Sequence, residues 1–153
     1  MSNVLVTGGA GSMGRLVSEK LINDGHQVNI FDLPQANYEG FDTSKTKIFK
    51  GNLNDSSIEE SIMGVDTVIH LAGYASVAES MSKKKIYYQN NVIGTLNILK
   101  ACKNSKVRNF IYSSSCSIYG NVKGKVSENN KPNPKSYYAF TKYKSEKILK
   151  KYS

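Results

Sequence analysis

Apolar and polar positions follow two rhythms along this chain, and the rhythms alternate. Asn3-Val4-Leu5-Val6-Thr7 is a short apolar run ending in a glycine-rich turn, which predicts a buried strand. From Gly14 to Asp24 the apolar residues Leu16, Val17, Leu21 and Ile22 recur at helical spacing. Asp24-Gly25 closes that helix, and Gln27 to Asp32 alternates with period two until Leu33-Pro34 forbids further strand. A βαβ unit is therefore complete by residue 32. The alternation continues with a strand near Lys47 to Lys50, a helix near Ser56 to Met63 and a strand from Thr67 to Leu71. One long helix is expected from about Ile86 to Cys102, then a strand from Asn109 to Ser113. A polar loop from Asn121 to Ser136 holds two of the three prolines and leads into a final helix from about Tyr137. Such alternation predicts an α/β fold, a doubly wound parallel sheet with helices on both faces.

Composition fits that picture. With 153 residues, 39% hydrophobic and 22% charged, the chain has the make-up of a globular protein, and one domain over 1–153 is the expectation. No run approaches the ~18 apolar residues of a membrane span, and no basic segment precedes the first apolar run, so a cytoplasmic protein is expected. Cys102 and Cys116 have neither disulfide-framework nor zinc spacing and read as reduced thiols, with no metal site. The formal charge of +9 is uneven: residues 1–76 carry five basic and nine acidic side chains, and the remainder sixteen and three. Only two of the basic residues are arginine, whereas readers of base edges favour that residue. A solvated lysine-rich surface is thus expected in place of a nucleic-acid footprint, with attraction of a phosphate-bearing small ligand as a secondary role.

The candidate chemistry begins at Thr7-Gly8-Gly9-Ala10-Gly11-Ser12-Met13-Gly14, between the first strand and the first helix. Glycines there allow a tight turn, a close main-chain approach to a pyrophosphate and close helix–strand packing, and the helix N-terminus supplies partial positive charge. A Walker-type phosphate loop is excluded, because Arg15-Leu16 follows the last glycine where Lys and Ser or Thr would be needed. Asp32 ends the second strand eighteen residues beyond Gly14, where a carboxylate accepts from the hydroxyls of an adenosine ribose. Its charge repels a 2′-phosphate and no arginine stands beside it in sequence, so NAD is favoured over NADP. Asp32 as a plain turn residue before Pro34 is the competing reading.

With these pieces in place, the sequence resembles the extended short-chain dehydrogenase/reductase family, and within it the nucleotide-sugar 4-epimerases. The matching segments are TGGAGSMG at 7–14, Asp32, HLAG at 70–73, YYQNNVIGTLNIL at 87–99, YSSSCSIYG at 112–120 and YAFTK at 138–142, in family order. The resemblance implies a Rossmann domain that binds NAD, incomplete relative to the family, with the substrate domain absent. It implies catalytic roles for Ser115, Tyr138 and Lys142, and cofactor contacts from Gly8, Gly11, Ser12, Met13, Gly14, Asp32, Asn52, Leu53, Leu71, Ala72, Gly73, Asn91 and Ser113 as well as from Tyr138 and Lys142. Physical chemistry agrees for the pair: residues four apart share a helix face, and an ammonium near a phenol favours the phenolate that acts as general base. Gly51-Asn52 also reads as a strand-end turn, and Asn91 as a buried polar residue satisfying backbone groups. The loop after Ser115 has no acidic residue, which sets the related dehydratases behind the epimerases, since water elimination needs acid/base help. A UDP-sugar substrate and a homodimer through the helix near 86–102 and the helix after Tyr138 are further implications. The alternatives are a catalytically incompetent NAD-binding fragment of such an enzyme and a related nucleotide-sugar dehydratase or reductase.

Overall fold

The computed structural model describes residues 1–152. They divide into two compact units, each discontinuous in sequence: 1–72 with 97–113, and 73–96 with 114–152.

The first unit holds a five-stranded parallel sheet. Its strands are β1 (Asn3–Thr7), β2 (Gln27–Asp32), β3 (Thr46–Lys50), β4 (Thr67–His70) and β5 (Asn109–Tyr112), in the order β3-β2-β1-β4-β5. Helix α1 (Ser12–Asn23) joins β1 to β2, and α2 (Ser57–Ile62) lies between β3 and β4. Period-two alternation explains the two-faced core. Leu5, Phe31 and Val68 point to one face and pack with Ile58, Ile62 and Ile98, while Val4, Val6, Val28 and Ile30 point to the other and meet Val17, Leu21 and Ile22 of α1. Strand order reverses between β1 and β4, so the carboxyl ends of these two strands form the switch point where ligands of open α/β sheets bind. The doubly wound parallel sheet expected from the sequence is present.

The second unit contains α3 (Val77–Ser82), α4 (Lys84–Tyr87), one π-type turn over Tyr88–Ile93, a short 3₁₀ turn (Cys116–Tyr119) and α6 (Tyr137–Tyr152); α5 (Gly94–Lys103) follows the π-type turn. The single helix expected over 86–102 is thus two α segments joined by a widened turn, and α3 was not expected at all. Ser76 accepts from the Glu79 amide at 3.2 Å and starts α3, while its exposed Val77 and Met81 give the segment no buried stripe to read. Tyr87, Val92, Ile118 and Ala139 are the buried apolar residues here. Among the described residues, no helix is long and apolar enough to cross a membrane, and no cluster of three or more His, Cys, Asp or Glu is placed to hold a metal.

Candidate functional site

In the first unit the chemistry gathers at the ends of β1, β2 and β4. Gly8 has a φ of +70°, and a Cβ there would lie 2.8 Å from the Ala72 nitrogen. A Cβ on Gly14 would meet the Gly8 carbonyl oxygen at 2.1 Å. The glycine turn is therefore pressed between the start of α1 and the segment after β4, with no room for a side chain. The first α1 bond runs from the Arg15 amide to Gly11 O at 2.9 Å, which leaves the amides of Ser12, Met13 and Gly14 ahead of the helical ladder. Asp32 stands beside this turn: its Oδ2 accepts from the Ala10 amide at 3.0 Å and its Oδ1 from the Leu33 amide at 2.8 Å. Leu71 donates its amide to Thr7 O and Ala72 donates to Thr7 Oγ1, which fastens the β4 exit to β1. Ser113 donates its amide to His70 O at 3.2 Å and is exposed.

Asn52 and Leu53 are placed differently. The Asn52 side-chain oxygen accepts from Asn54 and its amide donates to Asp55, so it shapes a strand-end turn. Leu53 puts its side chain into the core, and its carbonyl accepts from Asn97 Nδ2 at 3.0 Å. Gly8, Gly11, Ser12, Met13, Gly14, Asp32, Leu71 and Ala72 are the candidates that come together around the switch point.

In the second unit α6 carries Tyr138 and Lys142 one turn apart on one face. Lys142 is 5% exposed, and burial alone pushes its ammonium down from 10.5 to about 8. A Cβ on Gly73 would lie 3.8 Å from its Nζ, an ordinary contact, and 3.1 Å from Asn91 Oδ1, which is tight. Asn91, in the π-type turn, is 2% exposed and ties three segments together. Its Oδ1 accepts from the Tyr74 amide at 2.8 Å, and its Nδ2 donates to Tyr74 O at 2.9 Å and to Thr141 Oγ1 at 3.1 Å. Its main-chain oxygen accepts from Thr95 Oγ1 and from Ser145 Oγ. Ser115 caps the 3₁₀ turn, accepting from the Ser117 amide at 3.2 Å and sharing a proton with Ser117 Oγ at 2.8 Å, and that turn packs on α6.

Several residues that position this site escaped the sequence reading. Ser80 of α3, fully buried, accepts from the Tyr138 amide at 3.0 Å and so caps the first turn of α6 from a distance. Ser114 donates to Glu146 on α6. Thr141 and Ser145 anchor α6 to Asn91. Nothing local marks Ser80 as a cap, because its partner lies 58 residues away; the buried small polar residues of α6 are the one signal in the sequence.

Residues 4–153 match the profile of the NAD dependent epimerase/dehydratase family. This chain belongs to that family. A UDP-glucose 4-epimerase of Lactobacillus helveticus is 33% identical over 150 residues, covering 95% of this chain and 46% of the relative. The human sterol-4-alpha-carboxylate 3-dehydrogenase, decarboxylating, is 35% identical over 149 residues, covering 94% of this chain and 38% of that one. Among solved structures, the UDP-glucose 4-epimerase of Thermus thermophilus in complex with NAD superposes with a TM-score of 0.91 at 32% identity, over 98% of this chain and 50% of that one. The chain spans about half the length of the curated epimerases it matches.

Proposed function

We propose that this chain carries the cofactor-binding and proton-transfer residues of an NAD-dependent nucleotide-sugar 4-epimerase, with a UDP-sugar as substrate. The observation that carries the proposal is α6, where a half-buried tyrosine stands one turn before a buried lysine, in a chain whose glycine turn has no space for a Cβ. The first unit suits a dinucleotide: the amides of Ser12, Met13 and Gly14 are donors for a diphosphate, and Asp32 has lone pairs to spare for ribose hydroxyls. Gly8, Gly11, Leu71, Ala72 and Ser113 would lie along the cofactor, and Gly73, Asn91 and Lys142 toward its nicotinamide. Asn52 and Leu53 would meet the adenine by van der Waals contact, since the Asn52 N–H and side-chain oxygen and the Leu53 carbonyl and side chain are engaged within the chain. When bound, the nicotinamide supplies a hydride acceptor that can return the hydride.

The remaining work falls to the chain itself. Tyr138 Oη takes the proton of the sugar hydroxyl as that carbon is oxidised, and returns it on reduction. Ser115 Oγ holds the same hydroxyl, which requires its present bond to Ser117 Oγ to yield. Lys142, charged below about pH 8, stands one turn from Tyr138 on the same face of α6. Residues 1–153 form the dinucleotide-binding domain in this reading. The exposed Ile86 and Phe140 support a homodimer through α4, α5 and α6, and the use of two phosphate-bearing metabolites suits a cytoplasmic location. Calorimetric titration with NAD, then turnover of UDP-glucose and UDP-galactose by wild type and Tyr138→Phe, tests the proposal. Binding with turnover that Tyr138→Phe abolishes supports it, binding without turnover leaves a cofactor-binding module, and no binding refutes both.

A further inference from the structure

Beyond β2 the chain makes an excursion over residues 33–41, and Arg15 of α1 pins it. Arg15 Nε donates to Ala10 O at 3.2 Å, Nη1 donates to Glu39 O at 2.8 Å and Nη2 donates to Asn37 O. The guanidinium carbon lies 4.5 Å from the centroid of the Phe41 ring. Three main-chain acceptors and a ring face thus engage one planar fork, which a guanidinium can satisfy and an ammonium cannot. Ala10 is held on both sides: its carbonyl accepts from Arg15, and its N–H, in the preceding peptide unit, donates to Asp32 Oδ2 at 3.0 Å. Arg15 thus grips the peptide unit next to the one that binds the Asp32 carboxylate, and it also grips the segment that follows Asp32. Tyr38, in the same excursion, donates to Leu33 O at 2.8 Å, and burial together with the Asp32 charge pushes its phenol up to about 12, so it remains a donor.

We propose that Arg15 is a positioning residue for the adenosine end of the cofactor, holding the 33–41 wall directly through its carbonyls and Asp32 through the main chain at Ala10, without itself meeting the ligand; this rests on the dinucleotide reading above. Three of its N–H donors are used within the chain, each on a main-chain carbonyl, and charge alone does not replace that fork.

The test is calorimetric titration of the whole chain with ADP-ribose. Arg15→Met is expected to weaken binding about tenfold, and Arg15→Lys by a similar factor although it keeps the charge. In a double-mutant cycle with Asp32→Asn, the combined loss is expected to be smaller than the product of the single losses, because both act on the main chain at Ala10. A merely structural role would lower stability without that coupling. Wild-type affinity in Arg15→Lys, or losses that multiply independently, overturns the inference. Should Arg15→Met not fold, as judged by circular dichroism, the Arg15→Lys arm and its cycle decide alone. Wild type that does not bind ADP-ribose sinks the dinucleotide reading and the inference with it, whereas wild-type binding untouched by either Arg15 substitution sinks only the inference.

Discussion

Lys142→Met should make the protein more stable. The side chain is 5% exposed, and burial lowers its ammonium from 10.5 to about 8. Each unit of such a shift corresponds to about 1.4 kcal/mol between protonation states, so keeping the charge inside the fold costs up to about 3 kcal/mol. The pH dependence has a definite sign. Below about pH 8 both folded and unfolded chains hold the proton and the penalty is complete. Between about 8 and 10.5 the unfolded chain binds more protons than the folded one, so wild-type stability rises with pH as the penalty is relieved. Methionine fills a similar volume with no charge. At pH 7 the variant should therefore gain up to about 3 kcal/mol, roughly 6–12 °C in Tm for a chain of this size, and the gain should shrink toward pH 10. Urea unfolding followed by circular dichroism at pH 7 and pH 9.5 measures it. A variant less stable than wild type at pH 7, or a difference independent of pH, would refute the reasoning.

Three further outcomes are expected. Gly14→Ala places a methyl 2.1 Å from Gly8 O and 2.6 Å from Gly9 Cα, so it should cost more than about 2 kcal/mol, and an unchanged urea midpoint would contradict the close approach. Ser80→Ala removes the distant cap of α6, which should cost about 1 kcal/mol and speed hydrogen exchange at the Tyr138 amide; protection equal to wild type would show that the cap does not form in solution. Iodoacetamide at pH 8 should alkylate the exposed Cys116 and spare Cys102, whose thiol burial pushes up to about 11; mass spectrometry of the labelled peptides reads the difference, and equal labelling would count against it.

The sheet was legible because its strands follow simple rules. The observed β1 and β2 begin and end where period-two patterning and the Leu33-Pro34 stop put them, and β3, β4 and β5 differ only by a residue at one end. The α3 segment was not legible from hydrophobic spacing, although Ser76-Val77-Ala78-Glu79 has the spacing of a capping box and would have flagged its start. The π-type turn leaves no mark in composition, and one of the two hydroxyls that donate to its Asn91 carbonyl, Ser145 Oγ, comes from 54 residues away. Around the candidate site, features set by local sequence were legible: the glycine turn after β1, Asp32 at the end of β2, and Tyr138 and Lys142 one turn apart on α6. Those that act by holding another segment, such as Ser80 and Arg15, were not, because their partners are set by the finished fold.

The widened turn at 88–93 has a consequence for how this stretch tolerates change in length. A helix advances about 100° per residue, so losing one residue there would restore ordinary winding and swing everything on one side by more than a quarter revolution. Asn91 would then face away from Tyr74 and Thr141, which it now joins. Substitutions along the segment alter a contact each, whereas a single-codon deletion would change the angular phase of the whole segment, so its length is constrained as tightly as the identity of Asn91.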